Sequence, residues 1–152
     1  MNKSLPEISG GLLLCGYPAK KYLCHKLYIM NIPSGYQTVM PYLIVKDAAK
    51  FSEFTQKVFN AEEKMRHMRD EQIIMHAEVI IGGSTIMFAD ATEQFTERTT
   101  GLFVYVDNAD ETFQKALDEG ATSLMPPADQ PYGRSGGVTD PFGNTWWITT
   151  PL

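Results

Sequence analysis

The sequence predicts an α+β fold built from two paired βαβββ modules. Three observations lead there. An apolar strand followed by a helix and three further strands occurs twice, with Val45 corresponding to Val106 about 61 residues on and Asn60-Ala61 to Gly120-Ala121 about 60 on. A Gly82-Gly83 pair separates two apolar runs, which is a two-residue hairpin signal because both turn positions take positive φ. An Asp140-Pro141-Phe142-Gly143 turn precedes the last run, with proline fixing φ at its second position. The period is that of a whole βαβββ module rather than of a solenoid repeat.

The first strand is read from "VMPYLIVKD", whose apolar and β-branched residues end at Asp47. Asp47 is placed as N-cap of the helix that follows, where Phe51, Phe54 and Val58 repeat at helical spacing. Three strands are then expected at roughly 62–68, 73–81 and 84–90. The second copy opens with "LFVYVDN", in which Asn108 is the matching cap. Phe113, Ala116 and Leu117 share a helical face, and Gly120 supplies a left-handed stop. Its strands are expected at roughly 121–126, 134–139 and 144–150.

At 152 residues and 43% hydrophobic content, the chain can bury the core of one domain. Its 13 basic and 18 acidic residues give a net charge of −5, which argues against nucleic acid and against anionic membranes as partners. No apolar run reaches the ~18 residues of a membrane span. "GGLLLCGY" is short and lacks a small-residue cleavage site, so a cytoplasmic location is expected. Cys15 and Cys24, with no His/Cys cluster after them, read as free thiols. Residues 1–29 show neither helical nor strand periodicity. They read as an N-terminal extension to a single domain over 30–152, with modules at about 38–90 and 99–150.

Three segments carry a family resemblance: "YLIVKDAAKFSEF", "IIMHAEVIIGGSTIMFAD" and "YGRSGGVTDPFGNTWWITT". Together with the two modules they make the chain resemble the vicinal oxygen chelate superfamily, and within it the PhnB-like, glyoxalase/bleomycin resistance group. The resemblance implies that the two modules form a cupped mixed sheet and that the protein is a homodimer. In metal-using members each module gives two ligands, one five positions before the valine of its first strand and one on its last strand. Those positions fall here on Met40, Gly101, Met87 and Trp147, with tryptophan where the "DPxGNxxE" pattern carries its acid. None is a ligand for a hard or borderline divalent cation, so no metal and no cofactor are expected. Asn144 stands where the group commonly has His.

Strand parity then fills the cup, because alternate residues share a face. Met40, Tyr42 and Ile44 line it from the first strand, Gly101, Phe103 and Tyr105 from its counterpart, and Trp147 and Thr149 from the last. Extending the hairpin ladder pairs Glu78 with Met87 and His76 with Ala89, which places His76 and Glu78 inside. Trp146 points to the core, and Asp90 away from the cup.

Met40, Tyr42, Met87, Phe103, Tyr105, Arg134 and Trp147 are the candidate ligand-binding residues. Arg134 either clamps an anionic group through paired N–H bonds or pairs with an acid. His76 and Glu78 are the candidate catalytic pair. They can act as an acid–base couple, hold a divalent metal at a relocated site, or orient the sheet and a ligand. His25 and His67 offer no evident third ligand. The reading favoured by the sequence is a protein that binds a small organic molecule, planar or charged, in an aromatic cup. The rivals are a metal-dependent lyase or dioxygenase-type enzyme using His76 and Glu78, and a metal-free isomerase using the same pair. Turnover is left open.

Overall fold

The computed structural model describes residues 31–152. The N-terminal extension, Cys15, Cys24 and His25 therefore lie outside the described residues. Ten elements follow: β1 (Tyr42–Val45), α1 (Ala48–Phe59), β2 (Glu62–Met68), β3 (Ile74–Ile81), β4 (Ser84–Asp90), β5 (Gly101–Tyr105), α2 (Ala109–Asp118), β6 (Thr122–Gln130), β7 (Gly133–Thr139) and β8 (Thr145–Pro151). The mixed sheet is two four-stranded sheets, ordered β1-β4-β3-β2 and β5-β8-β7-β6. In each, the first strand runs parallel to the last strand of its module and the remaining pairs are antiparallel.

Local chemistry sets the boundaries. The Asp47 carboxylate accepts from Lys50 N at 3.2 Å and Asn108 from Glu111 N at 3.1 Å, so both helices begin where an Asx side chain satisfies a free amide. Asn60 ends α1 in the left-handed region (φ 53°), as Gly120 (φ 92°) does just after α2. Gly82 and Gly83 both take positive φ and close the hairpin with Ile81 opposite Ser84. The largest boundary difference is β6, which runs through Pro126 and Pro127 to Gln130. An edge strand tolerates proline because its outer N–H groups need no partner.

The two modules share one core. Leu43, Phe51, Val79 and Phe88 of the first join Phe113, Val138, Trp146 and Ile148 of the second. Phe59 at the end of α1 lies against Trp146 of β8, ring centroids 4.5 Å apart, and Phe142 packs edge-on to Phe51 at 5.6 Å. The helices touch each other, whereas no strand of one sheet approaches a strand of the other within 8 Å between Cα atoms. A seam of about 340 Å³ between the modules is lined by Pro41, Ile81 and Ile86 of the first and by Leu102, Phe103, Tyr105 and Trp146 of the second. Each sheet therefore turns one face to the common core, and its other face looks away.

Candidate functional site

On the outward face of the first sheet, register alone sets the neighbours. Tyr42 pairs with Met87, Met87 with Glu78, and Glu78 with Met65 across four adjacent strands. His76 stands two residues before Glu78 on β3 and opposite His67 of β2, their rings stacked at 6.4 Å. Met40 precedes β1 and lines a groove of about 450 Å³ with Met87, Pro33 and Tyr36.

Glu78 is the most constrained polar group here, at 2% exposure. Its Oε1 accepts from Tyr36 Oη at 3.2 Å and lies 3.1 Å from His76 Nε2. Its Oε2 has no hydrogen-bond partner; the nearest cation is Lys64 Nζ at 3.4 Å. Burial pushes the carboxyl pKa up, but the bonds from His76 and Tyr36 and the Lys64 ammonium outweigh it and leave the group below its usual range. The other ring nitrogen of His76, Nδ1, is 3.1 Å from the Tyr42 hydroxyl. An ionised carboxylate only accepts, so a neutral His76 must carry its proton on Nε2 and take the Tyr42 proton's hydrogen bond at Nδ1.

Residues before β1 form a strap that reaches three strands. Lys64 Nζ donates to Gly35 O at 3.1 Å and sits 3.1 Å from the Tyr36 ring centroid. Gln37 donates to Gly83 O at 2.8 Å and accepts from Thr85 N at 3.1 Å. Tyr36 and Lys64 are neighbours of Glu78 that strand counting misses. Lys64 is the unpaired residue of a bulge between Glu63 and Met65 in the β2–β3 ladder, and a bulge re-aims a side chain without altering the sequence pattern.

The outward face of the second sheet is aromatic. Phe103 pairs with Trp147 and Tyr105 with Thr149. Phe103 and Tyr105 meet edge-on at 5.2 Å, and Tyr132 lies 6.5 Å from Phe103. Trp147 covers Gly137, its cross-strand partner. Trp146, one residue away, is buried in the core, and its Nε1 donates to Asp140 Oδ2 at 2.9 Å. Asp140 also accepts from Phe142 N and Asn144 N, so it holds together the turn that launches β8.

Two expectations need correction. Met40, Tyr42, His76, Glu78 and Met87 are not brought together with Phe103, Tyr105 and Trp147 in one chain. The sheets share a core between them, so these faces diverge into two half-cups. Arg134 does not face either half. It binds Asp110 of α2 through two nitrogens and Asp129 at 3.0 Å, which is the acid-pairing alternative. Asp90 does turn from the outward face, accepting from Ala48 N and Ile74 N at 2.7 Å each.

The positions at which the resembling family holds metal carry two thioethers, a glycine and an indole, a donor set that does not fit a divalent cation. Among the described residues no three His, Cys, Asp or Glu are grouped to hold one. No helix among them is long and apolar enough to cross a membrane.

Comparison with known proteins agrees with this architecture. The model of the glyoxalase/bleomycin resistance protein/dioxygenase superfamily matches residues 35–148. An uncharacterized protein of Mycobacterium bovis is 35% identical over 124 residues, covering 74% of this chain and 82% of that protein. Two solved structures share the fold. A PhnB protein from Bacillus cereus has a TM-score of 0.61 at 23% identity, covering 75% of this chain and 99% of that one. TnmS3, an antibiotic binding protein from Streptomyces sp. CB03234, has a TM-score of 0.60 at 17% identity, covering 81% and 99%.

Proposed function

The chain belongs to the glyoxalase/bleomycin resistance protein/dioxygenase superfamily, and from that premise we propose that it is a PhnB-like protein binding a small, planar organic molecule, without a metal, in a cup completed by a second copy of itself. The observation that carries this reading is the exposure of Tyr42 (52%) on one sheet and of Phe103 (51%) and Tyr105 (64%) on the other. Ring faces gathered on outward sheet surfaces mark a binding surface. Each chain offers two unlike half-cups, so a homodimer that apposes the first sheet of one copy to the second sheet of the other completes both.

The chemistry of the halves indicates the ligand. Arg134 is engaged with two aspartates, so an anionic group loses its clamp. Aromatic walls with Glu78 at their base suit a neutral or cationic planar ring system. TnmS3, on the same fold, is described as antibiotic binding. A metal at His76 would have to displace a hydrogen bond, since Nδ1 and Nε2 both have partners. The cytoplasm is the proposed compartment, on the reading of both cysteines as thiols.

The test is native mass spectrometry of untagged protein purified without added metal, alongside titration with proflavine, a planar cation. The expected results are a dimer without stoichiometric metal and saturable quenching of tryptophan fluorescence that Trp147→Ala abolishes. A monomer at micromolar concentration would rule out the shared cup. A stoichiometric zinc, iron or manganese adduct that vanishes in Glu78→Ala would replace the metal-free reading.

A further inference from the structure

We propose that Tyr42, His76 and Glu78 form a proton-transfer relay whose working end is the Tyr42 hydroxyl, able to take a proton from a cup ligand bearing a weakly acidic group, either a C–H beside a carbonyl or a phenolic or enolic O–H. The relay rests on the cup reading for its location, though not for its test.

The three groups stand in series. Tyr42 Oη is 3.1 Å from His76 Nδ1, and His76 Nε2 is 3.1 Å from Glu78 Oε1. Because the carboxylate fixes the proton of neutral His76 on Nε2, the nitrogen facing Tyr42 is the basic one. This is the arrangement by which a weak hydroxyl is activated: a base within hydrogen-bond reach, itself oriented by a third group. The ends of the series differ as a relay requires. Tyr42 is half exposed on the cup face, whereas Glu78 is sealed beneath Tyr36.

The unsatisfied Glu78 oxygen adds a reason for proton movement toward His76. Oε2 is buried without a donor, and Lys64 at 3.4 Å compensates it only partly. A carboxylate so placed favours positive charge on its neighbour. In the transfer, the ligand X–H bond breaks and its electron pair stays on X. The proton forms a new bond to Tyr42 Oη as the original Oη–H proton passes to His76 Nδ1. The products are a ligand anion, a neutral tyrosine and an imidazolium paired with the Glu78 carboxylate. No oxidant or co-reactant enters. Tyr42 would be the catalytic group, with His76 as its proton acceptor and Glu78 as a positioning residue.

Tyrosine reactivity in the full chain reads this without a ligand. N-acetylimidazole acetylates tyrosine hydroxyls, and peptide mass spectrometry resolves each site. Tyr105 and Tyr132, 64% and 52% exposed, are internal controls for Tyr42 at 52%. Activation by a positioned base predicts that Tyr42 reacts about tenfold faster than either control, or more. His76→Gln, which keeps a hydrogen-bonding side chain but cannot take a proton, should bring Tyr42 to the control rate and leave Tyr105 and Tyr132 unchanged. Equal reaction of all three in the wild type overturns the relay, as does a Tyr42 excess that survives His76→Gln. The wild-type comparison stands by itself if the variant fails to fold. Since no ligand is used, failure here leaves the binding reading to its own dimer-mass and proflavine tests.

Discussion

A Cβ added to Gly137 would lie 2.6 Å from Trp147 Cζ3 and 2.9 Å from Cε3, although Gly137 has an ordinary strand backbone. The residue is glycine because an indole occupies the space of a side chain. Gly136 beside it points the other way, where a Cβ would meet Pro127 Cγ at 3.0 Å and Phe113 Cδ2 at 3.1 Å. The "SGG" run thus admits α2 to one face of β7 and Trp147 to the other. Gly137→Ala is expected to lift the indole into the cup. Since Trp147 is only half buried it can move, so the cost should be near the low end of overpacking, about 1 kcal/mol. Urea unfolding measures that cost, and near-ultraviolet circular dichroism should show the changed ring environment. An unaltered aromatic spectrum would mean that Trp147 does not rest on Gly137. Parity in the sequence was enough to assign Trp146 to the core and Trp147 to the opposite face. It was not enough to orient Arg134, because a guanidinium on a long stem serves equally to clamp an anionic ligand or to pair with a surface acid.

At the scale of elements, the repeat made most of the order legible. Each module carries the same signals: an Asx cap, an amphipathic helix and turn residues. What the repeat hides is where a ladder slips. Lys64 in β2 and Leu124 in β6 both fall inside register shifts, about one module period apart. Counting alternate residues through such a bulge gives the wrong face, so Lys64 could not be placed beside Glu78 from sequence. Asp90 shows the reverse case, a role stronger than its pattern. Its carboxylate alone joins the start of α1 to the start of β3, accepting from two amides whose residues are essentially sealed from water. Asp90→Ala leaves both donors unsatisfied, and at about 1–3 kcal/mol for each the loss should be about 2–6 kcal/mol. Asp90→Asn keeps one acceptor but turns an NH₂ toward the other amide, so it should recover only part. A loss below about 1 kcal/mol for the alanine variant in urea unfolding would show that water replaces the carboxylate and that the junction is not sealed.

For the whole molecule, what decides function is which faces the two sheets turn inward. The fold class and modules could be read from the chain, but the way the modules pack could not, since the same helix and strand patterns serve either arrangement. The decisive contacts join residues far apart in sequence: Phe59 on Trp146, and Phe142 against Phe51 and Phe54. These make the core common to both modules and leave the aromatic faces outward. A common core also has a thermodynamic consequence, because neither module keeps its buried surface when the other unfolds. Both tryptophans lie on β8, so their fluorescence reports the second module. Amide exchange along Ala77–Phe88 reports the first. In the wild type the two probes should give one midpoint in urea. Phe59→Ala removes the ring that bridges the modules and should cost about 3–5 kcal/mol, the usual range for losing a buried phenylalanine. Because the loss falls at the junction, both midpoints should drop together. If fluorescence shifts while exchange in β3 and β4 keeps its wild-type protection, the modules fold independently. The divergence of the half-cups would then lose the shared core on which it rests.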